Sequence, residues 1–153
     1  MDALRILVVD DEEPQRELIG GFLRKQGHEV LLAGSGAEAL ARVRETRVDL
    51  VLSDFKMPGM SGIELLRGVK GVNPEIPFIL VTAYGTVETA VQAMREGAAD
   101  YLTKPLDLEE LQLRIGNVTE QVRLRSAVRD LQARLVERPR LEGIIGESGR
   151  MQE

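Results

Sequence analysis

The chain has 153 residues, a formal net charge of -5, and neither cysteine nor tryptophan. This length suits one domain with an appendage. Without cysteine the chain has no disulfide, no thiolate metal site and no cysteine nucleophile, which fits the cytoplasm, a reducing compartment. The acidic balance argues against a nucleic-acid-binding surface, and no apolar run is long enough to span a membrane.

Short apolar segments alternate with segments of helical spacing over residues 1–120. Five of them are predicted strands: Leu4–Val9, Glu29–Ala33, Val48–Leu52, Ile76–Val81 and Asp100–Thr103. Each is followed by a predicted helix that begins near a capping or first-turn residue: Pro14, Ser35, Ser61, Thr86 and Asp107. Five strand–helix units in a row predict a parallel sheet with helices on both faces. Right-handed crossovers favour the strand order 2-1-3-4-5, the flavodoxin-like doubly wound α/β fold.

Capping pairs and glycines predict the bounds of the helices. Ser35 with Glu38, and Ser61 with Glu64, match the capping box, in which side chains and backbone amides of the first turn bond reciprocally. Gly71 is predicted to end the third helix, because glycine commonly follows a last helical turn.

The rest of the chain is organised around the segment from Val48 to Gly62, which reads VDLVLSDFKMPGMSG. It opens with an apolar strand that is expected to be buried on both faces, and Met57-Pro58-Gly59 marks a loop. Asp54 therefore lies at the carboxyl end of a central strand, facing a loop. Ligands of open parallel α/β sheets bind in the crevice at that edge.

The predicted strand order brings five polar side chains to this carboxyl edge: Asp10, Asp11, Asp54, Thr82 and Lys104. Clustered carboxylates repel one another unless a cation lies among them or their pKa values rise. Hard oxygen ligands without histidine or cysteine select Mg²⁺. A carboxylate beside Mg²⁺ can attack a phosphoryl group and form an acyl phosphate. An ammonium and a hydroxyl group can then stabilise the oxygens of the transferred group.

Each of these residues also has a simpler explanation. Lys104 alone would be a solvated lysine, Thr82 alone a strand-end threonine, and the pair Asp10-Asp11 a solvated acidic turn. Five residues of matching chemistry at one edge favour a phosphoryl-transfer site instead. His28, the only histidine, lies between a glycine and a strand, and we predict a surface residue without a catalytic role.

Four short motifs together resemble the receiver domain of two-component response regulators: Asp10-Asp11, Asp54 with Met57-Pro58-Gly59, Thr82-Ala83 and Lys104-Pro105. The resemblance covers residues 1–120. It implies a regulatory receiver domain, not an enzyme, that accepts a phosphoryl group on Asp54 from a sensor histidine kinase. It also implies that the domain supports its own Mg²⁺-dependent phosphorylation and dephosphorylation.

The same resemblance implies how the metal and the phosphoryl group are held. Asp11, Asp54 and the backbone carbonyl of Lys56 would bind Mg²⁺ directly, and Asp10 would act largely through a water molecule. Lys104 would contact the phosphoryl group, positioned by a cis bond to the proline that follows it.

A switch pair is implied as well. Thr82 would move toward a phosphoryl oxygen, and the ring of Tyr101 would turn inward to fill the space that is left. The alternative for Tyr101 is an ordinary half-buried aromatic side chain on a strand.

A long helical pattern follows the receiver-like region. One apolar stripe suits docking on the receiver: Leu108, Leu111, Ile115, Val118 and Val122. A second stripe lies on roughly the opposite face with 4-3-4 spacing: Leu124, Val128, Leu131 and Leu135. We therefore predict a helical linker or coiled coil over residues 121–138. It would form a homodimer with help from the fourth helix, the fifth strand and the start of the last helix.

The final segment resembles the opening of the ATPase domain in NtrC-type activators of sigma-54 RNA polymerase. The matching residues are Leu141–Ser148 and Met151-Gln152, whereas Gly149 stands where that family commonly has proline. We interpret residues 139–153 as the start of a truncated ATPase domain, and the chain as a fragment of a larger transcription regulator. Contacts with sigma-54 RNA polymerase and DNA would then belong to missing domains.

Three other functions fit parts of the pattern. A flavodoxin-like FMN carrier shares the topology, but the acidic segment 10–13 would repel its phosphate. An aspartyl-phosphate phosphatase needs its nucleophile at the end of the first strand and a cap insertion, for which the chain has no room. A receiver with another output class is the third alternative, although a stand-alone receiver would lack the long final helix.

Overall fold

The computed structural model describes residues 3–83 and 85–137. The chain divides into two units, Met1–Val118 and Thr119–Glu153, and each is described by itself. The segment predicted to begin an ATPase domain, residues 139–153, lies outside the described residues.

Strands and helices alternate along the first unit as the sequence predicts. The elements are β1 Arg5–Val9, α1 Glu13–Lys25, β2 Glu29–Ala33, α2 Gly36–Glu45, β3 Leu50–Asp54, α3 Gly62–Val72, β4 Phe78–Thr82, α4 Val87–Arg95, β5 Asp100–Thr103 and α5 Leu108–Glu137. The sheet has the order β2-β1-β3-β4-β5, and every neighbouring pair is parallel. The predicted flavodoxin-like topology is therefore confirmed.

Two strands begin two residues later than predicted. β3 starts at Leu50 because the side chain of Asp49, and not only its backbone, bonds to β1 just before that residue. Asp49 Oδ2 accepts a hydrogen bond from the Arg5 amide at 2.8 Å. β4 starts at Phe78 because Pro77 has no amide hydrogen to donate to the ladder. Asp54 is the last residue of β3, which confirms the prediction that it lies at the carboxyl end of a strand.

The predicted helix bounds need two corrections. α3 continues through Gly71 to Val72, and Pro74 follows the capping Asn73, so the proline rather than the glycine accounts for the stop. At α2 the predicted capping box is half formed. Ser35 Oγ accepts from the Glu38 amide at 3.2 Å, but Glu38 Oε1 accepts from the Gly34 amide at 2.9 Å. The box at α3 has both of its predicted bonds.

The sheet is buried on both faces, which is why its strands read as continuous apolar runs. Side chains of β1 alternate between the two cores, with Leu7 on one face and Ile6 on the other. One core is covered by apolar residues of α2 and α3, and the other by apolar residues of α1 and α5. The first stripe of α5 contributes Leu111 and Ile115, both fully buried.

His28 is not the surface residue that the sequence suggests. Its side chain is buried, and its Nδ1 accepts a hydrogen bond from the Leu4 amide at 3.1 Å. The histidine thereby satisfies a backbone donor just before β1. Burial lowers the pKa of His28 because it disfavours the charged imidazolium.

Among the described residues, apolar side chains are exposed on α4 and along the distal part of α5. On α4 only Ala93 is buried, whereas Val87 is 80% and Met94 51% exposed. Along the part of α5 that belongs to the second unit, the four residues of the second stripe are 52–66% exposed. Exposed apolar patches of this kind mark interaction surfaces. Within the described part of the chain, no helix has both the length and the hydrophobicity needed to cross a bilayer.

Candidate functional site

Three carboxylates meet at the carboxyl edge of the sheet. One oxygen each of Asp10, Asp11 and Asp54 lies within 4.8 Å of the others. The cluster forms because β1 and β3 are neighbours with Val9 opposite Ser53. The acidic residues that follow this pair on the two strands therefore lie side by side. Asp10 is buried and Asp11 is exposed, which leaves the cluster open on one side.

Lys104 provides the positive charge that faces this cluster. Its Nζ lies 3.3 Å from Asp54 Oδ2 and 3.8 Å from Asp10 Oδ2. The lysine arrives from the end of β5, where its amide donates to the Thr82 carbonyl at 2.8 Å. The peptide bond between Lys104 and Pro105 is cis, as the resemblance implied.

The charge balance at the edge favours a further cation. Burial raises the pKa of Asp10, and the charge of Asp54 raises it further; the hydrogen bond from the Glu12 amide and the charge of Lys104 oppose this. A single ammonium therefore does not offset the cost of burying and clustering the carboxylates. Three carboxylate oxygens without nitrogen or sulfur ligands fit a hard divalent ion such as Mg²⁺.

The loop after β3 is anchored at both ends. The Phe55 amide donates to the Val81 carbonyl at 2.8 Å, and the Gly62 amide donates to the Phe55 carbonyl at 2.7 Å. A Cβ on Gly62 would lie 2.5 Å from the Asp54 carbonyl oxygen, so only glycine lets α3 begin this close to the phosphoacceptor candidate. Lys56 lies in this loop with an exposed side chain, and the metal-binding role of its carbonyl stays a prediction.

The two residues of the predicted switch pair lie on β4 and β5, the strands that follow β3 in the sheet. Thr82, the last residue of β4, is fully buried. Tyr101 is half-buried on the neighbouring strand β5, and its hydroxyl is 2.7 Å from Thr89 Oγ1 on α4. Their roles in switching stay predictions.

Thr89 is a residue that the sequence reasoning missed. It takes the glutamate position of the capping box of α4: its amide donates to Thr86 Oγ1 at 3.1 Å, and its Oγ1 accepts from the Thr86 amide at 3.3 Å. The same hydroxyl contacts Tyr101. The pattern Thr-x-x-Thr before a helix was the available signal, since a threonine hydroxyl can replace a glutamate in the reciprocal bond.

Comparison with known proteins assigns the family. The family model described as "Response regulator receiver domain" matches residues 6–116. The chain is 47% identical over 119 residues to the transcriptional regulatory protein ZraR of Klebsiella oxytoca, covering 78% of this chain and 27% of that protein. It is 40% identical over 127 residues to the regulatory protein AtoC of Escherichia coli, covering 83% and 28%. The chain thus spans about a quarter of the length of these relatives.

Solved structures agree with this assignment. NtrX from Brucella abortus in complex with ADP superposes with a TM-score of 0.81 at 37% identity, covering 85% of this chain and 30% of that one. A receiver domain protein (CheY-like) from Methanospirillum hungatei superposes with a TM-score of 0.77 at 31% identity, covering 81% and 99%. Neither the flavin carrier nor the phosphatase finds support among these proteins. The chain therefore belongs to the response regulator receiver domain family.

Proposed function

We propose that this chain is a phosphorylation-dependent switch that accepts a phosphoryl group on Asp54 from a sensor histidine kinase. The observation that carries the proposal is the carboxylate cluster at the ends of β1 and β3, with Lys104 Nζ 3.3 Å from Asp54 Oδ2. An Asp54 oxygen would form a bond to phosphorus while the bond from phosphorus to the kinase histidine nitrogen breaks. The histidine nitrogen leaves with the bonding electron pair.

Each neighbouring group has a part in this transfer. Asp10, Asp11, Asp54 and the carbonyl of Lys56 would hold Mg²⁺, which supplies positive charge to the phosphoryl oxygens when bound. Lys104 would leave its ion pair with Asp54 and bind a phosphoryl oxygen, because that oxygen carries the greater negative charge. The side chain of Asp54 is only 11% exposed, so the charges of Mg²⁺ and Lys104 would act in a partly desolvated site, where electrostatic attraction is stronger than in water.

The signal would leave the site through Thr82 and Tyr101. The hydroxyl of Thr82 would donate a hydrogen bond to a phosphoryl oxygen, and the shift of the β4–α4 loop would release Tyr101 from α4. The contact between Tyr101 and Thr89 is the observation that supports coupling of the ring to α4. Two pre-existing conformations, rather than a new one, would change in population.

Beyond the receiver, we propose that the chain controls a transcription regulator of the sigma-54-activating type. Residues 1–120 would be the receiver, 121–138 a dimerising linker helix and 139–153 the start of an ATPase domain. Three observations support this proposal: the exposed apolar stripe on α5, the resemblance of the final residues, and the similarity to ZraR, which is a transcriptional regulatory protein. RNA polymerase and DNA would contact domains outside this chain.

A labelling experiment tests the phosphoacceptor function. The chain is incubated with acetyl phosphate in Mg²⁺, or in EDTA, and the peptide that carries Asp54 is analysed by mass spectrometry. We expect one phosphoryl group on Asp54 in Mg²⁺ and none in EDTA, because the clustered carboxylates repel an anionic donor without the metal. Equal labelling under both conditions, or labelling of a different residue, would contradict the proposal.

The contact between Tyr101 and Thr89 makes a second prediction. Thr89→Val and Tyr101→Phe each remove the contact between the two hydroxyl groups, a hydrogen bond worth about 0.5–1.5 kcal/mol, from the unphosphorylated conformation, and Thr89→Val also removes the capping-box bond from the Thr86 amide. We expect the apparent affinity for beryllofluoride, a phosphoryl analogue, to rise about two- to tenfold in each variant. The measurement is a titration followed by amide shifts in α4.

Matched variants separate this coupling from a general loss of stability. Thr89→Ser keeps the hydroxyl and should behave like the wild type. The double variant should show no more than the effect of Thr89→Val, because Thr89→Val already removes the contact that Tyr101→Phe takes away. Additive effects, or unchanged affinity in both single variants, would show that the contact does not bias the switch.

A further inference from the structure

The segment that carries the two acidic residues of β1 is held by a side chain from the helix that follows. On α1, Arg16 Nη1 donates a hydrogen bond to the Asp10 carbonyl oxygen at 2.7 Å. On its other side, the Asp10 amide donates to the Ala33 carbonyl at 3.1 Å. Both backbone polar groups of Asp10 are therefore hydrogen-bonded: the amide to the end of β2, and the carbonyl to the Arg16 guanidinium.

A glycine makes room for this cation. A Cβ placed on Gly34 would lie 3.1 Å from Arg16 Nη1 and 3.7 Å from Arg16 Cζ, so the guanidinium lies directly against the backbone there. Gly34 is not among the described glycines with positive φ, which are Gly27, Gly59 and Gly97. The backbone conformation at position 34 therefore does not require glycine, but a Cβ there would press on the end of the Arg16 side chain and require it to shift by a few tenths of an ångström.

The carbonyl that Arg16 binds belongs to the peptide unit between Asp10 and Asp11. Because a peptide unit is planar, fixing this oxygen fixes the rotation of the whole unit. That rotation fixes the direction of the bond from the Asp11 nitrogen to its Cα, from which the side chain extends. Asp11 is the exposed member of the carboxylate cluster, so its own surroundings restrain it less than those of Asp10.

We infer that Arg16, cradled by Gly34, is a positioning residue that orients Asp11 for divalent metal binding. The inference rests on the proposed function, because it presumes that the carboxylate cluster holds Mg²⁺. Arg16 would act through the Asp10 backbone carbonyl and is not itself a member of the carboxylate cluster. Residues that orient metal ligands in this indirect way change metal affinity by about 10–100-fold when they are replaced.

The test is the dissociation constant of Mg²⁺ for the complete 153-residue chain, measured by titration calorimetry without any phosphodonor. We expect Arg16→Ala to raise this constant about tenfold. At saturating Mg²⁺, the final extent of Asp54 labelling should equal that of the wild type, because the nucleophile itself is unchanged. A purely structural role would lower the melting temperature without this selective loss of metal affinity.

Two further variants make the result specific. Arg24→Ala removes the same charge from an exposed position on the same helix and should leave the Mg²⁺ constant unchanged. Gly34→Ala keeps Arg16 but pushes a methyl group against its guanidinium, so it should weaken Mg²⁺ binding in the same direction. In the Arg16→Ala background Gly34→Ala should have no further effect, because the group it displaces is absent.

The outcomes separate the inference from the function on which it rests. If the wild type binds no Mg²⁺, the proposed metal site is wrong. If the wild type binds Mg²⁺ and Arg16→Ala binds it equally well, only the role of Arg16 is overturned. Should Arg16→Ala fail to fold, Gly34→Ala decides: unchanged Mg²⁺ affinity in that folded variant overturns the inference.

Discussion

Asp54→Asn is expected to abolish phosphorylation of the chain by acetyl phosphate and by a cognate kinase. The amide keeps the shape of the side chain but has no carboxylate oxygen to attack phosphorus. Lys104 Nζ also lies 3.8 Å from Asp10 Oδ2, but the Asp10 side chain is only 4% exposed against 11% for Asp54, so Asp54 is the carboxylate of this pair that is more accessible to a phosphodonor. The expected result is loss of the label to background, measured by mass spectrometry of the intact chain.

Asp107→Asn is the matched control for this prediction. Asp107 Oδ1 accepts from the Glu109 and Glu110 amides at 2.9 and 3.3 Å, and an asparagine oxygen can accept the same bonds. This variant should be labelled like the wild type. Circular dichroism should show both variants folded. Wild-type labelling of a folded Asp54→Asn variant would remove Asp54 from its proposed role.

Leu131→Asp is expected to convert a dimer of this chain into a monomer. Leu131 is 56% exposed in the middle of the second stripe of α5, with Val128 and Leu135 beside it at 52% and 66%. Burying one leucine side chain is worth about 1.5–3 kcal/mol, and a symmetric dimer buries two. The change therefore costs at least about 3 kcal/mol, which is more than a hundredfold in the dimer dissociation constant.

Sedimentation velocity at tens of micromolar protein measures this effect. Ala133→Asp adds the same charge to the same helix off the stripe and should leave the dimer intact. A chain that ends after Val122 should be monomeric or dimerise much more weakly, because it lacks the second stripe and the α4 surface would have to hold the dimer alone. The stripe would not suffice by itself either, since two heptads alone are marginal. A monomeric wild type, or equal dimerisation of Leu131→Asp, would contradict the coiled-coil interpretation and leave the receiver assignment intact.

Local patterns in the sequence determined the architecture and the set of polar residues at the carboxyl edge of the sheet. Apolar runs alternating with helical spacing specify strand–helix units, and the handedness of crossovers leaves few sheet orders. Because parallel strands place their carboxyl ends together, the acids at the ends of β1 and β3 and the lysine at the end of β5 could be assigned to one site from the sequence. These inferences needed only periodicity and chain order, which are properties of the sequence itself.

Contacts between distant segments were decided only by the tertiary structure. Whether His28 is buried depends on Leu4, 24 residues away, and whether α4 turns its apolar residues inward depends on which face meets the sheet. The contact of Thr89 with Tyr101 and that of Arg16 with the Asp10 backbone depend likewise on side-chain directions across two elements. Periodicity shows that a helix has an apolar face, but only packing shows what that face meets, because the free energy of burial depends on the neighbour and not on the pattern.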